Sequence, residues 1–252
     1  MKGTFFQKPL EFRLEVDGEM WAQGDKITGS LVAKNHGSDP VTLNEFRVAL
    51  AHGELKKVRA KSPEAFKILN TATGPSGAKL EAQNEFTLPW SFETNRNGPI
   101  TDTSSSLFLL YGRGDVNEQL GQIQLTMNPD SVIQEIIQIF VIAFRFVVKT
   151  RKFAKGSVEV KLAPPDAKAF AAVEQLILNF CYEGETVHLS YSFGVKKVEA
   201  TASSFEMVKD KKVFAQSFTP GQYRTASGRF NHDPIETTIR EVISQVEKKV
   251  LF

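Results

Sequence analysis

The stretch that decides the fold class is Trp21-Ala-Gln-Gly-Asp-Lys-Ile-Thr-Gly-Ser-Leu-Val-Ala33. Gly24-Asp25 is a turn signal, and apolar or small residues then alternate with polar ones through residues 26–34. The run before it, residues 10–16, alternates in the same way. A period of two is typical of a strand with one buried face. Two such strands around a turn indicate a β-sheet protein and favour an interaction module over an enzyme.

A second segment extends this pattern: Phe86-Thr-Leu-Pro-Trp-Ser-Phe92, followed by a loop at 93–105 and a strand at 106–112. Together with the opening strands and their Gly-Asp turn, this apolar-Pro-aromatic-x-Phe segment resembles the arrestin-like β-sandwich family. The chain is most similar to its bacterial members known for sporulation control. The order of elements agrees over nearly the whole chain, with a few matching residues in each element. The resemblance implies two antiparallel β-sandwich domains and a protein that binds partners.

The remaining pattern is mainly β. In the first half we predict strands at 9–16, 26–34, 41–51, 54–60, 84–93, 106–112 and 120–127, with a bulge at Asn44-Glu45 and a loop at 70–77. In the second half, apolar and polar residues alternate in three runs, which begin at Val158, Val187 and Phe214. Short strands at this spacing favour sandwiches over a parallel sheet. We predict an N-terminal sandwich at 1–129 and a C-terminal one at 130–252.

An apolar connecting segment at 130–148 is the part of the chain that suggests a membrane. Gln134, Glu135, Gln138 and Arg145 interrupt it, and charged residues are costly in a spanning helix. Apolar residues at 133, 136, 137, 140 and 144 follow helical spacing, and Pro129-Asp-Ser131 supplies an N-cap. We predict a helix, or a helix running into a strand, buried between the two sandwiches. A contact with a partner or a membrane surface, and a long central strand, are the alternatives.

The C-terminus predicts an amphipathic helix at 234–250. Asp233 provides an N-cap, with proline at the first helical position and Glu236 at the third. A stripe then recurs at three- and four-residue steps, formed by Ile235, Ile239, Val242, Ile243, Val246 and Val250. We expect the stripe to pack on its own domain. Docking in a partner's groove, or pairing with a second copy, is the alternative.

Composition narrows the function classes. The net charge of +2 is too small to argue for nucleic acid. The single cysteine, Cys181, cannot form an intramolecular disulfide and lies in a strand-like run, which favours a packing role. The first residues contain no apolar stretch of signal-peptide length, so we expect a cytoplasmic protein.

No catalytic, cofactor-binding or metal-binding residues are predicted. Sequence motifs for nucleotide binding and for serine hydrolases do not occur. The histidines are expected to be solvated surface residues: His36, His52, His188 and His232. The tripeptide Arg113-Gly-Asp115 is most economically a turn.

Two basic groups can be interpreted in two ways. They are Lys56, Lys57, Arg59 and Lys61, and Lys149, Arg151, Lys152 and Lys155. They could bind acidic or phosphorylated segments. The interpretation that we favour is that they form the solvent-exposed faces of strands. The polar core of opposite charges through which arrestins sense phosphates has no match in this sequence.

The predicted function is that of a non-catalytic adaptor or scaffold. It would bind protein partners of unknown identity through sandwich edges and loops, in regulation or trafficking at the cytoplasmic face of a membrane. Peripheral membrane association and a homo-oligomer are further possibilities. The alternative is a carrier of a small apolar molecule or lipid in a sandwich cavity, with Val132 to Val148 as its wall.

Overall fold

The alternating residues of the opening strands point into a core, as predicted. The apolar residues at even positions from Leu10 to Val16 are each at most 5% exposed, whereas Arg13 stays partly exposed. In the strand after the Gly-Asp turn, Ile27, Leu31 and Ala33 are fully buried. The two strands pair antiparallel. Burial of one face is therefore confirmed.

The structure is a computed structural model that describes residues 1–44, 46–114, 119–200 and 205–247. It divides into two compact units, Met1–Asn128 and Pro129–Phe252. The mainly β fold class, with antiparallel sheets and a C-terminal helix, is confirmed. Within the described residues, the helices are too short or too polar to cross a membrane.

The first unit is a β-sandwich. Its elements are β1 (Lys2–Gln7), β2 (Leu10–Val16), β3 (Met20–Ala22), β4 (Lys26–Asn35), β5 (Val41–Leu43), β6 (Phe46–Glu54), α1 (Leu55–Arg59), β7 (Phe66–Thr73), β8 (Ala78–Leu80), β9 (Glu85–Glu93), β10 (Ser105–Arg113), β11 (Gly121–Gln124) and β12 (Thr126–Asn128). One sheet has the order β1-β2-β4-β9 and the other β11-β10-β6-β7, and β5-β8 and β12-β3 form small two-stranded sheets. Side chains from both main sheets share one core, where the rings of Phe12 and Phe46 stack with centroids 5.7 Å apart.

The predicted strand at 41–51 is two strands. β5 pairs with β8, and β6 pairs with β7 and β10 in a main sheet. Leu43 and Phe46 are both 1% exposed, so the change of phase between them reflects a move from one sheet to another. The predicted bulge includes Glu45, which lies outside the described residues.

Three further predictions for this unit need correction. Residues 55–59 form α1 instead of a strand, because Leu55 and Val58 share one helical face above an apolar cluster on the sheet. The predicted loop at 70–77 overlaps β7, whose Thr- and Asn-rich residues pair with β6. The strand at 120–127 is interrupted at Leu125, where the chain leaves β11 and forms β12. β1, which pairs with β2, was not predicted.

Tyr111 lies against two glycines at one side of this sandwich. A Cβ on Gly3 would come within 2.7 Å of the Tyr111 hydroxyl, and one on Gly121 within 2.5 Å of its ring. The ring of Phe5 meets Tyr111 edge-on, with centroids 6.4 Å apart. Strands β1 and β11, from opposite sheets, therefore approach each other here, because glycine leaves room for the tyrosine between them.

The second unit contains a five-stranded antiparallel sheet. Its elements are α2 (Ser131–Ile142), β13 (Val147–Ala154), β14 (Ser157–Ala163), a 3₁₀ turn (Lys168–Phe170), β15 (Val173–Glu183), β16 (Thr186–Ala200), β17 (Phe205–Phe218), α3 (Pro220–Tyr223) and α4 (His232–Glu247). The strands follow the order β13-β14-β15-β16-β17. Helices pack on the apolar face of this sheet, and the Phe140 ring of α2 lies 6.0 Å from that of Tyr191 in β16.

The prediction of a helix running into a strand is confirmed by α2 and β13. The Asp130 carboxylate caps the helix and accepts a hydrogen bond from the Val132 amide at 2.9 Å. The Gln134 side chain donates to the Pro129 carbonyl at 2.8 Å. The apolar residues of the predicted stripe are all buried: Ile133, Ile136, Ile137, Phe140 and Phe144.

The C-terminal helix, α4, packs within its own unit. It begins at His232, so the predicted N-cap Asp233 lies in its first turn. Its apolar residues are at most 4% exposed: Ile235, Ile239, Val242, Ile243 and Val246. Val250 lies outside the described residues. The alternative of an exposed stripe that docks elsewhere is therefore wrong for the described part of this helix.

Candidate functional site

The first basic group lies on α1 and just after it. Lys57 contacts a Glu54 carboxylate oxygen at 2.9 Å, and this hydrogen bond raises the pKa of Lys57. Lys56, Arg59 and Lys61 are exposed and take part in no ion pair among the described residues. This short helix and the turn after it therefore present three cations to solvent that no described carboxylate neutralises.

Lys61 has a backbone conformation that is unusual for its residue type. Its φ of 51° lies in the left-handed region. Its amide donates to the Val58 carbonyl, and the Ser62 amide donates to the Lys57 carbonyl, both at 3.0 Å. This pair of bonds is the Schellman motif that ends helices, in which glycine is the usual residue at the left-handed position. Lysine at this position retains strain that glycine would relieve.

A groove adjoins α1 on the outer face of the sheet β11-β10-β6-β7. We call it the α1 groove; it has a volume of about 470 Å³. Its lining is part apolar and part polar; we call the apolar part the floor, and the polar part, which includes Lys61, Gln119 and Gln122, the rim. Apolar residues that contribute to the floor are Val58, Phe66, Leu110 and Leu120. None of the described Asp or Glu residues lines it.

The second basic group lies on β13 and the turn that follows. Lys149, Arg151 and Lys152 are exposed, and Lys152 contacts Glu159 of β14 at 2.9 Å. Lys149 and Arg151 take part in no ion pair within the described ranges. The β13 edge, defined as residues 147–154, is therefore positively charged.

The outer side of β13 has no partner strand among the described residues, because β13 is the first strand in its sheet. A bulge at Lys149 interrupts its pairing with β14, between the Val148 and Thr150 pairs. Lys155 and Gly156 connect the two strands with φ values of 53° and 77°. Positive φ at both residues is the mark of a type I′ hairpin turn, in which asparagine or glycine is usual at the first position.

Three of the histidines lie beside carboxylates. For the fourth, His52, the prediction of a solvated surface residue was wrong. His36, His188 and His232 have a ring nitrogen within 3.6 Å of Glu11, Glu183 and Glu135, respectively, and their side chains are 36–55% exposed. His52 instead lies on the inward phase of β6, and its Nε2 atom is buried without a hydrogen-bond partner among the described residues. Desolvation lowers its pKa.

One polar row on the open face of the five-stranded sheet contains potential nucleophiles. Register places Cys181, His188 and Ser217 opposite one another on β15, β16 and β17. The Ser217 hydroxyl lies 2.8 Å from His188 Nδ1, and a Glu183 oxygen lies 3.3 Å from Nε2, which makes no hydrogen bond among the described residues. These are the groups of a serine-type triad, but the serine and the carboxylate have exchanged ring nitrogens. Glu183 is 87% exposed, and a solvated carboxylate orients an imidazole weakly.

The other sequence features contribute no site. Arg113 ends β10 and Gly114 follows with φ of 107°, whereas Asp115 lies outside the described residues. Within the described ranges, no cluster of three or more His, Cys, Asp or Glu side chains could hold a metal ion.

Sequence reasoning located both basic groups but missed the α1 groove and the free edge. The signal for the groove was the unbroken apolar run from Leu107 to Tyr111, which is typical of a strand buried on both faces. Phe108 and Leu110 on the outer face are 4% and 2% exposed, because apolar side chains pack against them beside the groove. These side chains are Leu55, Val58, Phe66 and Leu120. The order of strands in a sheet, which makes β13 an edge, is set by long-range pairing and has no local signal.

Comparison with solved structures shows a likeness over nearly the whole chain. The crystal structure of Spo0M, a sporulation control protein from Bacillus subtilis, matches with a TM-score of 0.67. The match covers 95% of this chain and 100% of that chain at 8% sequence identity. No protein-family model matches the chain, and no curated protein matches it. At this identity the likeness shows a shared arrestin-like fold alone.

Proposed function

We propose that this protein is a non-catalytic, regulatory adaptor that binds an acidic, extended segment of a protein partner along the β13 edge. The observation that carries the proposal is the outer side of β13, which has no partner strand among the described residues, together with Lys149 and Arg151, which pair with no described carboxylate. Exposed edges can accept an additional strand, whose backbone supplies the hydrogen bonds. We place the protein in the cytoplasm, where a single unpaired cysteine is in keeping with reducing conditions.

The same charges select the partner. Lysines and bulges on edge strands discourage pairing between identical copies, because like charges would face each other. A segment that alternates acidic and uncharged residues would replace that repulsion by attraction. Positive charge on β13 therefore favours an acidic partner over a second copy of this chain.

The alternative of a carrier with an internal cavity has less support. Most apolar residues of α2 that would form the cavity wall are buried, although Ile142 is exposed, and Phe140 contacts aromatic rings of its own unit. The polar row around His188 does not favour catalysis either, because its carboxylate is solvated.

The proposal can be tested with a blocked ten-residue peptide of alternating glutamate and threonine. We expect it to bind the full chain, with an affinity that falls as salt rises. The double reversal Lys149→Glu, Arg151→Glu should weaken binding about tenfold or more. A matched reversal on the opposite edge strand, Lys209→Glu with Lys211→Glu, should leave binding unchanged.

Two outcomes would contradict the proposal. One is an equal loss in both double variants. The other is equal binding of a peptide in which lysine replaces glutamate.

A further inference from the structure

We infer that the α1 groove binds a single-chain amphiphile, a molecule with one hydrocarbon tail and one anionic head group. This site lies in the first unit and is independent of the proposed function of the β13 edge. The apolar floor, the cations at the rim and the strained Lys61 support it together.

The floor fits a hydrocarbon tail better than a peptide. It is formed by side chains of α1 and of the outer sheet face, including Val58, Phe66 and the almost fully buried Leu110 of the interior strand β10. A sheet face offers no row of free backbone N–H and C=O groups, which an extended peptide would need to satisfy its own. A hydrocarbon tail needs no such partners. The volume of about 470 Å³ lies within the range of small-molecule sites.

The rim fits an anionic head group. Lys61 contributes to the lining, and Lys56 and Arg59 on the adjoining helix are exposed without ion pairs among the described residues. The carboxylates of Glu54 and Glu64 act on Lys57 instead. An anion at the rim would therefore meet cations that no described carboxylate already neutralises.

The conformation of Lys61 points to a role for its side chain. Glycine would satisfy the helix-ending motif at lower conformational cost, so folding alone does not favour lysine here. Residues held in sparsely populated backbone conformations cluster at active sites and ligand clamps. Among the described residues, Lys61 is the cation that lines this groove.

The test uses dodecanoate below its critical micelle concentration, with dodecanol as the neutral probe. Calorimetric titration of the full chain should show binding of dodecanoate and much weaker binding of dodecanol. Shortening the tail should weaken binding about fourfold for each methylene removed from the groove.

Lys61→Gly is the decisive variant, because it removes the cation while relieving backbone strain. It should fold at least as stably as the natural chain and bind dodecanoate about tenfold more weakly. Lys155→Gly is the matched control, since Lys155 also has positive φ (53°) but does not line this groove. Its affinity for dodecanoate should be unchanged.

The inference is overturned by any of three results. Lys61→Gly could bind dodecanoate as tightly as the natural chain. Dodecanol could bind as tightly as dodecanoate. The protein could bind phosphatidylglycerol vesicles but not monomeric dodecanoate, which would indicate that the site binds a membrane surface instead of a single amphiphile.

Discussion

The Tyr191 hydroxyl donates a hydrogen bond to the side-chain oxygen of Gln216 on the neighbouring strand. The Gln216 amide nitrogen then donates to the Thr238 carbonyl of α4 at 2.9 Å. Tyr191 is fully buried, and desolvation strongly raises its pKa. This polar relay holds the helix in one position on the sheet, because apolar contacts alone do not fix a register.

Tyr191→Phe should therefore destabilise the protein. The change leaves the Gln216 oxygen without its donor, which we expect to cost about 1–2 kcal/mol of unfolding free energy. Urea denaturation would measure it. The double variant Tyr191→Phe, Gln216→Leu should cost less than the sum of the two single changes, because both remove the same bond. Strict additivity would contradict the relay.

Leu14→Asp should be severely destabilising. Leu14 is fully buried in the first core, and an unpaired buried carboxylate is expected to cost about 4 kcal/mol or more. Arg13→Asp, one residue away, replaces an exposed ion pair with Glu85 by an exposed like-charge pair and should change stability by about 1 kcal/mol or less. Thermal melts of both variants decide the matter. Similar losses in the two would mean that β2 does not bury a single face.

Ile239→Ala and Ile243→Ala should each lower the unfolding free energy by about 2–5 kcal/mol, because both side chains are buried. Gln245→Ala on the exposed face of α4 is the control and should be nearly neutral. Chemical denaturation measures all three. An unchanged melting temperature combined with lost self-association would instead identify the stripe as an interface.

Lys155→Asn should stabilise the β13–β14 hairpin. Asparagine tolerates the positive φ of the first type I′ position better than lysine, and a gain of about 0.5–1 kcal/mol is expected. Lys161→Asn, in the middle of β14, should give no gain because asparagine is a poor strand former. A lower melting temperature for Lys155→Asn would show that the lysine side chain stabilises the turn.

Stability should depend on pH through His52. Burial lowers its folded-state pKa, so the unfolded chain binds the extra proton more readily. Stability linked to this group is therefore complete above the unfolded pKa of about 6.5 and falls as pH drops below it toward the folded value. His52→Gln should flatten the change in unfolding free energy between about pH 7 and pH 5. An identical slope in the variant would exclude His52 as the cause.

The local sequence pattern was sufficient to predict burial where one face of a helix or strand is buried and the other faces solvent. Residues 10–16 and the α2 stripe around Ile136 satisfy that condition, and their burial was predicted correctly. Residues 54–60 do not, since Leu55 and Val58 fit a short helix as well as part of a strand. The long-range cluster beneath them decides between the two structures. Binding surfaces were harder to predict from the sequence. The β13 edge depends on the order of strands in the sheet, and the α1 groove depends on packing against β10.

The contact of Tyr111 with Gly3 and Gly121 has a consequence for how this sequence can change over time. A methyl group at either glycine would collide with the tyrosine, and a smaller residue at 111 would leave a void between β1 and β11. Each position therefore restricts what the other two can become. We expect these three sites to covary among homologues, with a bulkier residue at 3 or 121 accompanied by a smaller one at 111.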